Sequence, residues 1–225
     1  MTYLIPGAGR RIFLRAEKLY DFRKKMTALR AVCPGINFRR LKMFRGGWNI
    51  GFIAEGRYVF KIRKRKSSLI PAEIMREKRI TEAFAPIVPA RIPKLEIIKA
   101  GEYVFYKYEF IPGKNLNMIP IRTIRKNVEK LGRQIAEFVF DMHNSDPESI
   151  RDLKTGDGDG WNHNDLCNNI IVNPKTMEIN GIIDWEYAGF GKLETEFKNI
   201  SRFSRNMRDS GILEVVRREY ENIRG

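Results

Sequence analysis

The segment WNHNDLCNNIIVNPKTMEINGIIDWEYAGFG, residues 161–191, constrains this chain more than any other stretch. Two short apolar runs, 170–172 and 179–184, flank a turn at Asn173-Pro174-Lys175 and read as a β-hairpin. Polar residues cluster at its open end. His163, Asn164, Asp165, Asn168 and Asn169 precede the first strand, and Asp184 closes the second. The hairpin can therefore return one aspartate to another, with an asparagine amide between them.

Two carboxylates and an amide oxygen around one point suit magnesium, a hard cation that takes oxygen ligands. They also suit phosphoryl transfer, which needs a carboxylate to orient an acceptor hydroxyl and oxygen ligands for magnesium on the triphosphate. HNDL…NIIV followed by GIIDWEYAGFG resembles the catalytic loop and metal-binding strand of the aminoglycoside phosphotransferase and choline kinase superfamily. The resemblance implies a protein-kinase-like fold with ATP and magnesium as cofactors. It implies Asp165 as catalytic base, Asn169 and Asp184 as metal ligands, and His163 as organiser of the loop.

Upstream, Arg45-Gly46-Gly47-Trp48-Asn49 resembles the family's nucleotide-covering loop, which assigns Gly46, Gly47 and Asn49 to phosphate. Lys61 matches the strand lysine of the α- and β-phosphates. Glu77 matches the helix glutamate that holds it, with Glu73 as second choice. Glu109 and Ile111, in Glu109-Phe110-Ile111-Pro112-Gly113, match the hinge whose backbone meets adenine. The resemblance covers residues 44–197. It departs from the pattern in two places. Ile170 stands where the family has its asparagine, so the loop is one residue short; Asn169 takes that role, with Asn168 as the alternative. Glu196 stands where the family has an aspartate supporting the loop.

The wider pattern is α+β: a β-rich N-terminal lobe and a mostly helical C-terminal lobe interrupted by the catalytic hairpin. Residues 1–43 read as a basic, helically patterned extension, 44–111 as the nucleotide-binding lobe and 112–225 as the catalytic lobe. Residues 121–143 carry one apolar helical face, and helices are expected over 193–205 and 211–224. His143 and Cys167 read as packed side chains. So do Trp48, Trp161 and Trp185.

Lysine and arginine number 42 against 27 acidic residues, a formal charge of +15. That excess concentrates anions and repels polycations, unless it serves solubility alone. The helices with which the family binds aminoglycosides have no counterpart between His143 and His163. The expected acceptor is thus a small anionic or lipid-linked alcohol rather than an antibiotic, with contact to acidic surfaces possible. A macromolecular acceptor, or a basic binding module without transfer, remains the alternative. No apolar run reaches the ~20 residues of a membrane span. Two distant cysteines, Cys33 and Cys167, argue for a reducing compartment, and the cytoplasm is expected.

Overall fold

Strict alternation builds the first half of the molecule. The computed structural model describes residues 16–39, 41–45, 49–63 and 72–225. It divides into two units, one of residues up to Ile74 with Leu95–Phe110, the other of Met75–Lys94 with Ile111–Gly225.

The first unit is an antiparallel sheet of β1 (Leu41–Arg45), β2 (Asn49–Ala54), β3 (Tyr58–Arg63), β4 (Glu96–Ala100) and β5 (Tyr103–Glu109), in the order β1-β2-β3-β5-β4. Period 2 sends Phe60 and Ile62 of β3 to one face and Val59 and Lys61 to the other. On the first face Phe60 stacks on Phe52 with centroids 5.2 Å apart. Helix α1 (Ala16–Val32) covers this face with Phe22, Met26 and Leu29, spaced four and three residues apart. On the second face Val59 packs with Val104, Tyr106 and Tyr108 of β5. The β2–β3 hairpin turns through Glu55 (φ 56°) and Gly56 (φ 67°), with Arg57 N–H donating to Ala54 O (3.0 Å). Two successive positive φ values match the right-handed twist of the flanking strands.

The second unit begins within α2 (Ala72–Phe84). After β6 (Lys114–Asn115) come α3 (Ile121–Lys126) and α4 (Val128–His143). Next are β7 (Gly160–Asn162), β8 (Ile170–Val172), β9 (Ile179–Ile182) and β10 (Gly189–Gly191). The chain finishes with α5 (Leu193–Ser201), α6 (Arg205–Arg208) and α7 (Ile212–Arg224). β6, β8 and β9 form one small sheet, and β7 pairs with β10. The core joins Leu131, Ile135, Phe138, Val139 and Met142 of α4 to Ile212, Val216 and Tyr220 of α7.

Five sequence expectations need correction. Where it is described, the stretch expected as an extension is part of the first unit: α1 packs on the sheet, and Leu41–Arg45 is a strand paired with β2. The nucleotide-binding lobe expected over 44–111 is not continuous, because Met75–Lys94 falls in the second unit. The helix expected over 121–143 breaks at Asn127 (φ −119°, ψ 19°), and that expected over 193–205 stops at Ser201. Asp184 lies beyond β9 rather than in it, at φ 63°.

Gly132 of α4 sets the approach of α7: a Cβ there would stand 2.3 Å from Val215 Cγ1. Gly132→Ala gains helix propensity but must push α7 away, and overpacking outweighs that gain. Its unfolding free energy in urea is expected to fall by about 1–3 kcal/mol.

Candidate active site

The catalytic-loop sequence folds around His163, which is fully buried. Its Nε2 donates to the carbonyl of Ile183 (3.1 Å), and its Nδ1 accepts the backbone N–H of Asp165 (3.3 Å). A ring that donates at one nitrogen and accepts at the other is neutral. Burial agrees, pushing the imidazole down to about 4. His163 thus ties the loop carrying Asp165 to the segment carrying Asp184.

Asp165 is half-buried, and each carboxylate oxygen has its own amide donor. Asn168 Nδ2 reaches Oδ1 (3.0 Å) and Asn169 Nδ2 reaches Oδ2 (2.9 Å). Burial pushes this carboxyl above its ordinary range, the two amides draw it back, and the charge of Asp184 pushes it up again. With its amide nitrogen committed to Asp165, Asn169 keeps Oδ1 as an acceptor. Ile183 N–H donates to Asn169 O (3.0 Å), which sets Asn169 beside the approach to Asp184.

These residues fit magnesium. Asp184 offers a carboxylate and Asn169 an amide oxygen, while no cluster of three or more His, Cys, Asp or Glu exists among the described residues. Few protein ligands, with water and phosphate completing the shell, is the usual arrangement for this ion. Asp184 and Asn164 (φ 65°) both hold left-handed backbone, which aspartate and asparagine tolerate best among non-glycine residues.

The segment after Asp184 is held from α2. The Trp185 N–H donates to Glu77 Oε1 (3.2 Å), and the indole Nε1 donates to Ile182 O (3.0 Å). The Trp185 ring packs against Phe84, Phe138 and His163. Behind the loop lies Glu196, 1% exposed, whose Oε2 accepts the N–H of Asn164 (2.8 Å). Its other oxygen is buried without a hydrogen-bond partner. Burial raises this carboxyl from 4.5 to about 7.

Two supporting residues escaped the sequence reading. Asn115 donates to the carbonyl of Asn168, and Asn117 Nδ2 donates to Asn168 Oδ1 (3.0 Å). They lie fifty residues upstream of the loop they hold, and isolated asparagines after a Gly-Lys turn carry no signal for that role.

In the first unit, Lys61 is 4% exposed at the centre of the sheet, with Nζ 5.6 Å from the Tyr106 ring and 5.9 Å from that of Tyr108. A lysine so placed in a sheet interior is not a surface strand residue. Asn49 opens β2 opposite Arg63, so its backbone belongs to the strand. Gly46 and Gly47 lie outside the described residues. Glu109 ends β5 with an exposed side chain, and Ile111 is a buried residue of the second unit.

The described fold matches solved phosphotransferases. The GDP complex of aminoglycoside 2'-phosphotransferase-IIIa superposes with a TM-score of 0.72 at 13% identity, over 88% of this chain and 82% of that one. The streptomycin–ATP complex of APH(2")-IIa gives 0.62 at 17%, over 93% and 85%. Macrolide 2'-phosphotransferase MphH from Brachybacterium faecium gives 0.61 at 15%, over 87% and 82%. No family model and no curated protein matches the chain by sequence. The α+β protein-kinase-like fold is thus established by structure.

Glu196 makes stability depend on pH. Above 4.5 the unfolded chain has released this proton, while the folded chain keeps it to about 7, so stability falls between those values as pH rises. The loss amounts to about 3 kcal/mol at full titration. Glu196→Gln keeps an acceptor for Asn164 and cannot ionise. Urea unfolding at pH 5 and pH 8 should show a flatter dependence for the variant than for the parent, whatever its absolute stability.

Proposed function

We propose that this chain transfers the γ-phosphoryl group of ATP to a hydroxyl of a small acceptor. The observation that carries this reading is the Asp165 carboxylate, held at both oxygens by Asn168 and Asn169 beside Asp184, on the fold of nucleotide-dependent phosphotransferases. A carboxylate so fixed keeps a lone pair on each oxygen at a set position, and a fixed acceptor is what positioning a hydroxyl requires.

In the proposed reaction the acceptor oxygen forms a bond to the γ-phosphorus on the side opposite the leaving group. The bond from phosphorus to the β,γ-bridging oxygen breaks, and ADP leaves with its electron pair. The hydroxyl proton passes to Asp165 and then to solvent. Asp184 and the Asn169 amide oxygen are assigned to magnesium, which when bound neutralises charge on the phosphates. His163 and Glu196 hold the loop in register through the backbone of Asp165 and Asn164. Lys61 is assigned to the α- and β-phosphates, with Glu77 as its anchor. Gly46, Gly47 and Asn49 are assigned to the phosphates, and the backbone of Glu109 and Ile111 to the base. These last assignments rest on the order of the sequence motifs.

The charge of +15 supports an anionic acceptor, free or lipid-linked, over a polycation. No helix among the described residues is long and apolar enough to cross a membrane.

ATP with magnesium is expected to raise the melting temperature of the parent protein, and Asp184→Asn is expected to lose that rise. Asparagine keeps the left-handed backbone that alanine would strain. Asp165→Asn should retain the rise while turnover falls by about a thousandfold or more. A nucleotide-saturated protein that shows no shift, or an Asp165 variant with near-normal turnover, would sink this assignment.

A further inference from the structure

Large apolar side chains on a folded surface usually occur singly, and a group of them on one functional element calls for a ligand. Among the described residues, the three most exposed are Phe203 (65%), Met118 (55%) and Tyr187 (53%). All three belong to segments bonded to the catalytic loop or packed beside it. Tyr187 O accepts from Asn164 Nδ2 (3.1 Å). Asn117, beside Met118, donates to Asn168. Phe203 lies just past α5, which packs against the Leu166–Asn168 turn that follows Asp165. Asn206 Nδ2 donates to Ile119 O (3.0 Å), which joins the Phe203 segment to the Met118 segment. A fully buried Cys167 leaves the rim of this loop to the residues that follow α5.

The rim also carries charge. The guanidinium of Arg202 lies 5.0 Å from the centroid of the Phe203 ring and has no carboxylate partner among the described residues. Next along the chain, Arg205 and Arg208 share the single carboxylate of Asp209. Stacking on an aromatic leaves a guanidinium edge free to donate two parallel hydrogen bonds to a phosphate or carboxylate. One cation on an exposed ring thus offers an apolar surface and an anion site side by side. The same cation repels an ammonium group brought to the loop.

We infer that Phe203 and Arg202, with Met118 and Tyr187 flanking the loop, select an acceptor alcohol that carries both an apolar portion and an anionic group. This rests on the phosphotransferase reading above and names the substrate class for it. The hydroxyl of such a molecule meets Asp165 while its anionic group is held by Arg202 and its apolar part covers Phe203.

The experiment follows transfer of label from γ-labelled ATP, with magnesium, to four probes. Lysophosphatidylglycerol is an amphipathic anionic alcohol, and glycerol 3-phosphate has the anion without the apolar part. Dodecyl maltoside has the apolar part without the anion, and kanamycin is a polycationic alcohol. Lysophosphatidylglycerol is expected to be labelled at least tenfold faster than the other three. Arg202→Glu and Phe203→Ser should each raise its KM at least tenfold, with a smaller change in kcat, whereas a merely structural loss would lower kcat or the melting temperature.

Equal labelling of glycerol 3-phosphate or dodecyl maltoside would remove one half of the inference, and preference for kanamycin would overturn it. No labelling of lysophosphatidylglycerol by a protein that is stabilised by ATP and magnesium would also overturn it, leaving the nucleotide site standing. Absence of that stabilisation would remove the underlying reading. Sedimentation showing a dimer that Phe203→Ser abolishes would assign the rim to a second copy of the chain instead.

Discussion

The candidate site of the second unit depends on one buried imidazole. His163 bonds at once to the backbone of Asp165 and to the carbonyl just before Asp184. Both bonds hold only for the neutral ring with its proton on Nε2. Protonation at Nδ1 would place a donor against the N–H of Asp165 and a charge in an apolar enclosure beside Trp185. Burial keeps that from happening at neutral pH, since the ring is held at about 4. The placement of two acidic residues is therefore linked through a buried side chain that bonds the backbone beside each.

Around this bridge the second unit arranges its acids by environment. Asp165 is half-buried and amide-bound. Glu196 is fully buried with one oxygen unpartnered, and it keeps its proton to about 7. The difference follows from donors: two side-chain amides stabilise the ionised form at one site, and backbone N–H groups offset only part of the burial cost at the other. A glutamate is one methylene longer than the aspartate expected there. The backbone N–H of Asn164 binds one oxygen, and the second is buried without a donor.

Much of this was legible in the sequence, and the failures have physical causes. Alternation in Tyr58-Val59-Phe60-Lys61-Ile62 marked β3 and the odd face on which Lys61 stands. The order His163, Asp165, Asn169, Asp184 marked the residues that the fold brings together. The strand at Leu41–Arg45 was not marked because its short run Leu-Lys-Met-Phe-Arg does not alternate strictly, and only pairing with β2 decides its conformation. The break at Asn127 carries no glycine or proline. Trp185 looked like simple packing, and it does pack, but its backbone N–H binding Glu77 depends on a contact 108 residues away in sequence. Asn115 and Asn117 were invisible for the same reason.

The close spacing of Asp165 and Asn169 has its basis in the local backbone. Leu166–Asn168 forms a 3-10 turn, closed by the Asn169 N–H on Leu166 O (3.0 Å). A 3-10 turn uses three residues per turn against 3.6 in an α-helix, so it brings a side chain back over its starting point sooner. That return brings Asn168, three residues on, over Asp165, and Asn169, the residue after the turn, reaches both the carbonyl and the carboxylate of that aspartate (each 2.9 Å). The extra asparagine is not redundant: Asn168 takes the other carboxylate oxygen and is itself pinned by Asn115 and Asn117. The short loop thus holds one carboxylate with two amides, one on each oxygen.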